Sequence, residues 1–194
     1  MEIGCGTGHL ARELSRLEYS IVALEPATEM FQIAQEVLKN TDAKVFNSKI
    51  EDYSPKGFEP DVSLAHMCVN SIPHLDSFFS AIKHVAPKQP IVFSATHPAF
   101  WNNIEKWIPE ETFEYHNEYF SDNVFLRITQ DSGNPIGPIS NWHRPIDFYF
   151  SCLKRSGYYV TDFHEIMPQS EVRKLYGEKW KKPRYFTIVC QPYT

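Results

Sequence analysis

Hydrophobic residues in the first hundred positions alternate between the spacing of a helix and that of a strand. Leucines at helical spacing over residues 10–17 are followed by the apolar stretch SIVALEP, which predicts a short strand. A second helical pattern, over residues 28–38, precedes the strand pattern AKVFN, and a third, over residues 74–85, lies between DVSLAHM and PIVFSAT. This alternation predicts an α/β fold in three layers, with a mostly parallel sheet between helices.

From about residue 100 to residue 144 this regularity is lost and aromatic residues become frequent. We expect one domain over residues 1–194, with this stretch as an insertion or lid that contains a candidate strand, NVFLRIT. A helix is predicted to begin after Pro145, with Ile146, Phe150 and Leu153 on its apolar face. The last two strand patterns, YYVTDFHE and YFTIVCQ, are separated only by a loop and should therefore pair antiparallel.

Composition limits the range of functions. The 194 residues carry a net charge of −5, which gives no general attraction for nucleic acid or for an anionic membrane. The four cysteines are scattered and the histidines lack metal-site spacing, so we expect reduced thiols and no bound metal. The sequence has no signal peptide pattern and no apolar run of membrane-spanning length, which favours a cytoplasmic protein.

A glycine-rich turn, GCGTG at residues 4–8, holds three of the eight glycines of the chain. Such a turn between a strand and a helix lets a ligand lie against bare backbone amides at the N-terminus of the helix. Its spacing is GxGxG, whereas dinucleotide folds have GxGxxG, and the acid Glu2 precedes it. Glu25, at the end of the second predicted strand, is placed to accept hydrogen bonds from a ribose diol.

These residues resemble the class I S-adenosylmethionine-dependent methyltransferases. EIGCGTG resembles the first motif of that family, and LEPATEMFQIA resembles its second-strand acid and the helix that follows, with Ala27 where the family often has serine. The later segment WHRPIDFYFSCLKRSGYYVTDFHE resembles the small-molecule branch that is related to quinone biosynthesis. The resemblance implies a Rossmann-like sheet in the strand order 3-2-1-4-5-7-6, with strand 7 antiparallel to the others.

The resemblance also implies S-adenosyl-L-methionine as the cofactor. Glu2 and the glycine turn would hold its methionine portion, and the acid of the second strand would hold its ribose. The family's adenine-binding acid after strand three corresponds here to Lys49, so either Glu51 takes that role or the backbone at Ile50 does. The residues expected to bind the cofactor are Glu2, Gly4, Cys5, Gly6, Thr7, Gly8, Glu25, Pro26, Met30, Ile50, Glu51 and His66.

Methyl transfer from a sulfonium needs an aligned acceptor and, where that acceptor carries a proton, a base. His66 and His97 follow the fourth and fifth strands and His143 ends the aromatic stretch, so these three are the candidate catalytic bases. Each has the alternative of a purely structural hydrogen bond, and Arg144 can either meet an anionic substrate or pair with Asp147. The residues expected to contact substrate are Met67, Asn70, Trp101, Tyr119, Trp142 and Arg144.

The nature of the acceptor is limited by what the sequence lacks. No Asn/Asp-Pro-Pro-Tyr sequence, the family's mark for methylating nucleobase amino groups, follows the fourth strand, so we expect a small-molecule acceptor. The resemblance to the family implies in-line transfer to an oxygen or carbon atom of that acceptor. Two alternatives are an NAD(P)-dependent oxidoreductase and a methyltransferase-fold protein that binds without turnover. Only three residues precede the turn, so the first strand and a preceding helix are expected to be truncated, with weak cofactor binding as the consequence. The sequence does not indicate an oligomeric state.

Overall fold

The computed structural model describes residues 1–55, 57–100, 108–127, 135–167, 169 and 181–193. The strands are β1 Glu2–Ile3, β2 Val22–Leu24, β3 Lys44–Phe46, β4 Ser63–His66, β5 Ile91–Thr96, β6 Tyr119–Arg127, β7 Pro135–His143, β8 Tyr158–Ile166 and β9 Tyr185–Pro192. The α-helices discussed below are α1 His9–Arg16, α2 Thr28–Leu38, α3 Leu75–Val85 and α4 Ile146–Arg155. Short 3-10 helices lie at Ile50–Asp52, Val69–Ser71 and Glu110–Thr112.

Seven of these strands form one sheet in the order β3-β2-β1-β4-β5-β9-β8. The strands from β1 to β5 pair in parallel, whereas β9 runs antiparallel to both β5 and β8. When only this sheet is counted, the predicted order 3-2-1-4-5-7-6 with an antiparallel seventh strand is confirmed. β6 and β7 form a separate antiparallel hairpin, so the irregular stretch contains two strands where the sequence indicated one.

The larger part of the core lies between the sheet and the helices α3 and α4. Phe79 of α3 packs on Phe93 of β5, with ring centroids 5.4 Å apart, and Phe93 in turn contacts Phe186 of β9. Helices α1 and α2 cover the opposite face along β1 to β3 with smaller side chains. Apolar burial on both faces therefore holds the three layers together.

In two helices, one residue expected on the buried face is exposed. Leu153 of α4 is buried as predicted, but Phe150, which was expected beside it in the core, is 37% exposed, and Tyr149 is buried instead. The ring centroids of Tyr149 and Phe93 lie 6.1 Å apart, so the packing of α4 against β5 decides which side of the helix faces the core. In α1 the helix ends at Arg16, and Leu17, one of the three spaced leucines, is largely exposed.

Hydrogen bonds from the 3-10 helix after β4 tie the hairpin to the edge of the large sheet. The Oδ1 atom of Asn70 accepts from the amide of Thr96 at 3.1 Å, and its Nδ2 donates to the carbonyl of Trp142 at 3.3 Å. Ser71 Oγ donates to the carbonyl of Ser140 at 3.0 Å. Strand β7 is thereby fixed beside the carboxyl ends of β4 and β5.

Glu2 is a carboxylic acid buried in β1, with only 3% of its surface exposed. Burial raises the pKa of Glu2 to about 7, and this effect is partly offset by the Met1 ammonium group and by a hydrogen bond with the backbone of Ala11. Its Oε2 atom has no hydrogen-bond partner in the described part of the chain. The folded protein therefore keeps a proton on Glu2 at a pH where a free glutamate has lost it.

The raised pKa predicts a dependence of stability on pH. Because the folded-state pKa is about 7 and the unfolded-state value is 4.5, the free energy of unfolding falls as pH rises between these values. The variant Glu2→Gln cannot ionise, so its stability relative to wild type should increase across that window by on the order of 3 kcal/mol. Urea denaturation at several pH values measures this, with the exposed Glu29→Gln as control. Parallel stability curves for wild type and Glu2→Gln would contradict it.

Candidate functional site

The carboxyl ends of β1, β2 and β4 surround a cleft of about 660 Å³. Open α/β sheets bind their ligands at this edge. One wall is the glycine turn with Glu25, a second is the 3-10 helix Ile50–Asp52, and a third is the segment from Met67 to the first turn of α3. The cleft is large enough for a nucleotide-sized ligand.

The glycine turn presents its backbone to this cleft. The amides of Gly4 and Cys5 both donate to the carbonyl of Leu24, at 2.8 and 3.0 Å, which closes the turn against β2. A Cβ atom on Gly4 would lie 2.8 Å from the Cβ of Cys68, so the approach of β4 requires glycine there. Gly6 has a φ of +55° and no atom within 4 Å of the position of a Cβ, so bare backbone faces the open cleft.

Glu25 is held in one orientation at the end of β2. Its Oε2 atom accepts from the amide of Gly6 at 2.8 Å, and its Oε1 atom accepts from the amide of Ala27 at 2.9 Å. The side chain of Asn47 donates to the carbonyls of Glu25 and Pro26 at 2.8 and 3.1 Å. The carboxylate is 7% exposed and lines the cleft, where its remaining lone pairs can accept hydrogen bonds from a ligand.

The structure brings together a majority of the residues that the sequence assigned to the cofactor. Those that line the cleft are Gly4, Gly6, Glu25, Pro26, Met30, Ile50 and Glu51. Glu2 and Cys5 are buried in the sheet and under α1, and Thr7 and Gly8 lead into that helix without lining the cleft. Met30, in the first turn of α2, is 40% exposed and lines the cleft.

The two candidates for binding the adenine, Glu51 and the backbone at Ile50, both lie in the 3-10 helix after β3. Lys49, Ile50 and Glu51 all line the cleft, and the side chain of Ile50 is buried against the core. The sequence did not indicate the opposite wall, which includes Ser77 and Phe78 of α3. Phe78 is buried and packs on Phe79, and one side of it also lines the cleft. A helical period shows the buried stripe of a helix and does not show a ligand at its end.

His66, expected both to bind the cofactor and to act as a base, lies exposed at the end of β4. It does not line the cleft, whereas the next residue, Met67, does. Its Nδ1 atom is 2.7 Å from Ser94 Oγ of β5, and the amide of Met67 donates to the same hydroxyl at 3.3 Å. Neighbouring protein atoms lower the pKa of His66 below its usual value by desolvation, so the ring is neutral near pH 7. In the described chain no hydrogen bond to its Nε2 atom is found.

His97 has both ring nitrogens occupied by the protein. The amide of Ala99 donates to Nδ1 at 3.3 Å, so the proton of the neutral ring lies on Nε2, which donates to Glu165 Oε1 at 3.0 Å. The ring stacks on Phe100 at 4.7 Å and is 3% exposed. Burial lowers the pKa of His97, and Glu165 partly offsets this. His97 does not line the cleft and joins the end of β5 to β8.

His143 is enclosed by aromatic rings of the hairpin region. Its Nε2 atom donates to the carbonyl of Tyr115 at 3.0 Å, and Phe113 and Tyr119 pack on the ring at 5.0 and 5.8 Å. Burial lowers the pKa of His143. The hydroxyl of Tyr119, a predicted substrate residue, donates to the carbonyl of Thr112 at 2.8 Å and is thus used within the same region. Neither His143 nor Tyr119 lines the cleft.

Trp142 and Arg144, two predicted substrate residues near the end of β7, lie where the hairpin contacts the rest of the fold. Arg144 is 1% exposed and donates to Glu118 Oε2 at 3.3 Å and to the carbonyl of Pro73 at 2.7 Å, so the possible pair with Asp147 is not formed. Its guanidinium lies 4.6 Å over the ring of Trp142. Of the remaining substrate predictions, Met67 lines the cleft, Asn70 bonds the hairpin, and Trp101 lies outside the described residues.

The described residues hold neither a metal-type cluster of side chains nor a helix that could cross a membrane. No group of three or more histidine, cysteine, aspartate or glutamate side chains lies together as a metal site there. No helix within the same ranges has both the length and the apolar character to cross a bilayer. All four cysteines are free thiols, and burial raises the pKa of Cys68, beside the glycine turn, to about 12. That thiol is therefore protonated and a weak nucleophile.

Known proteins similar in sequence are methyltransferases. Residues 1–88, which contain the glycine turn, Glu25 and Met67, match a family model described as "Methyltransferase domain". The ubiquinone biosynthesis O-methyltransferase of Bartonella tribocorum is 23% identical over 180 residues, and that of Bartonella bacilliformis is 24% identical over 178 residues. Each alignment covers 80% of this chain and 72% of the relative.

Solved structures with the same fold cover nearly the whole chain. An S-adenosylmethionine-dependent methyltransferase from Mesorhizobium loti has a TM-score of 0.67 at 15% identity, covering 98% of this chain and 88% of its own. One from Methanosarcina mazei has a TM-score of 0.70 at 14% identity, covering 99% and 91%. The fold match thus extends past the residues that the domain model covers. The domain match over residues 1–88, the glycine turn with its partner acid and this sheet order make the chain similar to the class I S-adenosylmethionine-dependent methyltransferases, whose fold it has.

Proposed function

We propose that the protein transfers the methyl group of S-adenosyl-L-methionine to an oxygen or carbon atom of a small-molecule acceptor, with oxygen preferred. The observation that carries this proposal is the fixed carboxylate of Glu25, whose two oxygens accept from the amides of Gly6 and Ala27 at the rim of the cleft. A carboxylate held in this way accepts hydrogen bonds from a pair of ribose hydroxyls without having to be ordered first. The ubiquinone O-methyltransferase names of the Bartonella relatives support an oxygen acceptor.

Each part of the cofactor has a matching part of the cleft. The bare backbone at Gly6 suits the methionine portion, Glu25 suits the ribose, and the walls at Ile50 and Phe78 suit the flat adenine ring. The cofactor supplies a methyl group that its own sulfonium charge activates. The contribution of the chain is to hold that methyl in line with the acceptor and to exclude water.

The acceptor side is proposed to lie beside β4 and β5, under the hairpin. Residues 100–144 then act as an insertion or lid of a single domain, anchored through Asn70 and Ser71. The hairpin offers an aromatic surface there, because Phe120 is 51% exposed and lies 4.6 Å from Trp142. An aromatic or otherwise flat acceptor suits such a surface.

Of the three candidate histidines, we propose His66 as the one that contacts the acceptor. His97 and His143 donate their Nε2 protons to Glu165 and to the carbonyl of Tyr115, and both rings are buried. His66 is exposed next to Met67 at the cleft. The net charge of −5 and the four free thiols support a cytoplasmic enzyme that does not act on nucleic acid.

The first test of this function is calorimetric titration with S-adenosylhomocysteine, with NAD as the competing candidate ligand. We expect binding of S-adenosylhomocysteine and none of NAD. The variant Glu25→Ala should weaken binding by about ten- to a hundredfold, because hydrogen bonds to a charged group contribute roughly 1.5–3 kcal/mol. Glu36→Ala, which removes an exposed carboxylate paired with Lys39 on α2, is the control and should bind like wild type. Binding of NAD in place of S-adenosylhomocysteine would support an oxidoreductase and overturn the proposal.

A second prediction uses two glycines with the same backbone constraint. Gly6 and Gly57 have φ values of +55° and +73°, and an added Cβ meets nothing within 4 Å at either position. Alanine at each should therefore cost a similar free energy of unfolding, about 1–2 kcal/mol. Only Gly6→Ala places a methyl group in the cleft, so it should weaken S-adenosylhomocysteine binding by about tenfold or more, and Gly57→Ala should not. Thermal unfolding and titration of both variants measure this, and equal affinities would place the ligand elsewhere.

A further inference from the structure

Ser94, the neighbour of His66 on β5, decides what His66 can do chemically. We infer that Ser94 holds His66 in the tautomer with the proton on Nε2, so that His66 donates a hydrogen bond to the acceptor and does not remove its proton. The acceptor then belongs to the class of molecules whose reacting oxygen is already ionised, such as an acidic phenol or an enol. This inference rests on the proposed methyl transfer and names the substrate class for it.

The hydrogen bonds at the end of β4 and β5 form a directed chain. The amide of Met67 can only donate, and it donates to Ser94 Oγ at 3.3 Å. A serine hydroxyl carries one hydrogen, and over the described residues the remaining partner of Ser94 Oγ is His66 Nδ1, at 2.7 Å. The hydroxyl therefore satisfies its own hydrogen by donating to Nδ1. A neutral imidazole that accepts at Nδ1 carries its proton on Nε2.

The backbone at Met67 keeps this chain of hydrogen bonds in place. Met67 has a φ of +57°, a left-handed conformation that residues other than glycine seldom adopt. Its amide donates both to Ser94 Oγ and, at 3.0 Å, to the Ser94 carbonyl, so β5 holds the residue in that conformation. Met67 lines the cleft, and His66, which does not line it, is the residue before Met67 at the same end of β4. Backbone strain of this kind is found most often at functional sites.

The surroundings of His66 also favour a neutral donor. Desolvation is the resolved cause of the lowered pKa of His66, and no carboxylate acts on the ring to raise it. His97 shows the contrast, because Glu165 accepts its Nε2 proton. The Nε2 proton of His66 has no such acceptor in the described chain and is left for a ligand.

The step that follows from this arrangement is balanced without a protein base. A lone pair of the acceptor oxyanion forms the new oxygen–carbon bond, and the carbon–sulfur bond breaks with its electron pair staying on sulfur. The negative charge of the acceptor and the positive charge of the sulfonium disappear together. No proton is transferred, so a donor at Nε2 that stabilises the oxyanion in the right place is sufficient.

Nitrogen NMR of the protein labelled at its histidine rings reads the tautomer directly, and it needs neither cofactor nor turnover. We expect the neutral His66 ring to be protonated on Nε2 in wild type and in Ser94→Thr, which keeps the hydroxyl. Ser94→Ala should yield a mixture of tautomers. Ser63→Ala removes a buried hydroxyl at the other end of β4 and is the matched control, with no change at His66. A ring protonated on Nδ1 in wild type, or no effect of Ser94→Ala, overturns the inference.

The substrate class is tested with 4-nitrophenol, a phenol that ionises near neutral pH, titrated into the protein saturated with S-adenosylhomocysteine on either side of the phenol's pKa. We expect the ionised form to bind about tenfold more tightly, as for one charge-assisted hydrogen bond. His66→Gln keeps an N–H donor without a basic nitrogen and should retain this preference, whereas His66→Ala should lose it. The donor role is overturned if both variants lose the preference for the ionised phenol equally. It is also overturned if wild type binds the ionised and neutral phenol with equal affinity, or binds neither of them. Failure to bind S-adenosylhomocysteine would instead refute the proposed function and leave the tautomer result standing.

Discussion

The hydrogen bond from the amide of Gly6 to the carboxylate of Glu25 is the contact on which the cleft depends. It joins the turn after β1 to the end of β2, and the second carboxylate oxygen holds the amide of Ala27 at the start of α2. Asn47, after β3, fixes the backbone of Glu25 from the third side. The ends of three neighbouring strands therefore meet at one residue, Glu25. Because protein groups already order this side chain, a ligand that binds it loses little further entropy.

A second set of polar contacts, made by the side chain of Asn70, connects the parallel strands to the hairpin. Asn70 binds the end of β5 through the amide of Thr96 and the hairpin through the carbonyl of Trp142. Its amide oxygen and amide nitrogen bind these two elements, so Asn70 fixes the hairpin relative to the parallel strands. In the proposed function, the glycine turn and Glu25 form the cofactor part of the edge, and the region from His66 to the hairpin forms the acceptor part.

The sequence was sufficient wherever the signal is local. The switch between helix and strand periods predicted the three layers, the glycine spacing and the acid at Glu25 predicted part of the cleft wall, and the family resemblance of these residues implied the sheet order. It was insufficient wherever a distant partner decides the role of a side chain. His97 follows its strand as predicted, but its partner Glu165 lies on β8, and Arg144 pairs with Glu118, although Asp147 is nearer in the chain. A sequence pattern shows which element carries a polar group, and only packing shows whether that group is already satisfied.

The three histidines illustrate this difference, because the hydrogen bonds place the ring proton on Nε2 in each of them. His97 gives this proton to a carboxylate and His143 gives it to a backbone carbonyl, and both rings act as fixed joints between elements. In the inferred tautomer, His66 accepts a hydrogen bond from the Ser94 hydroxyl at Nδ1, and its Nε2–H can donate to an oxygen of the acceptor. A donor attracts an anionic acceptor, and methylation removes the charge that made the attraction strong. The neutral product is therefore bound less tightly than the substrate, which favours its release after the methyl group has moved.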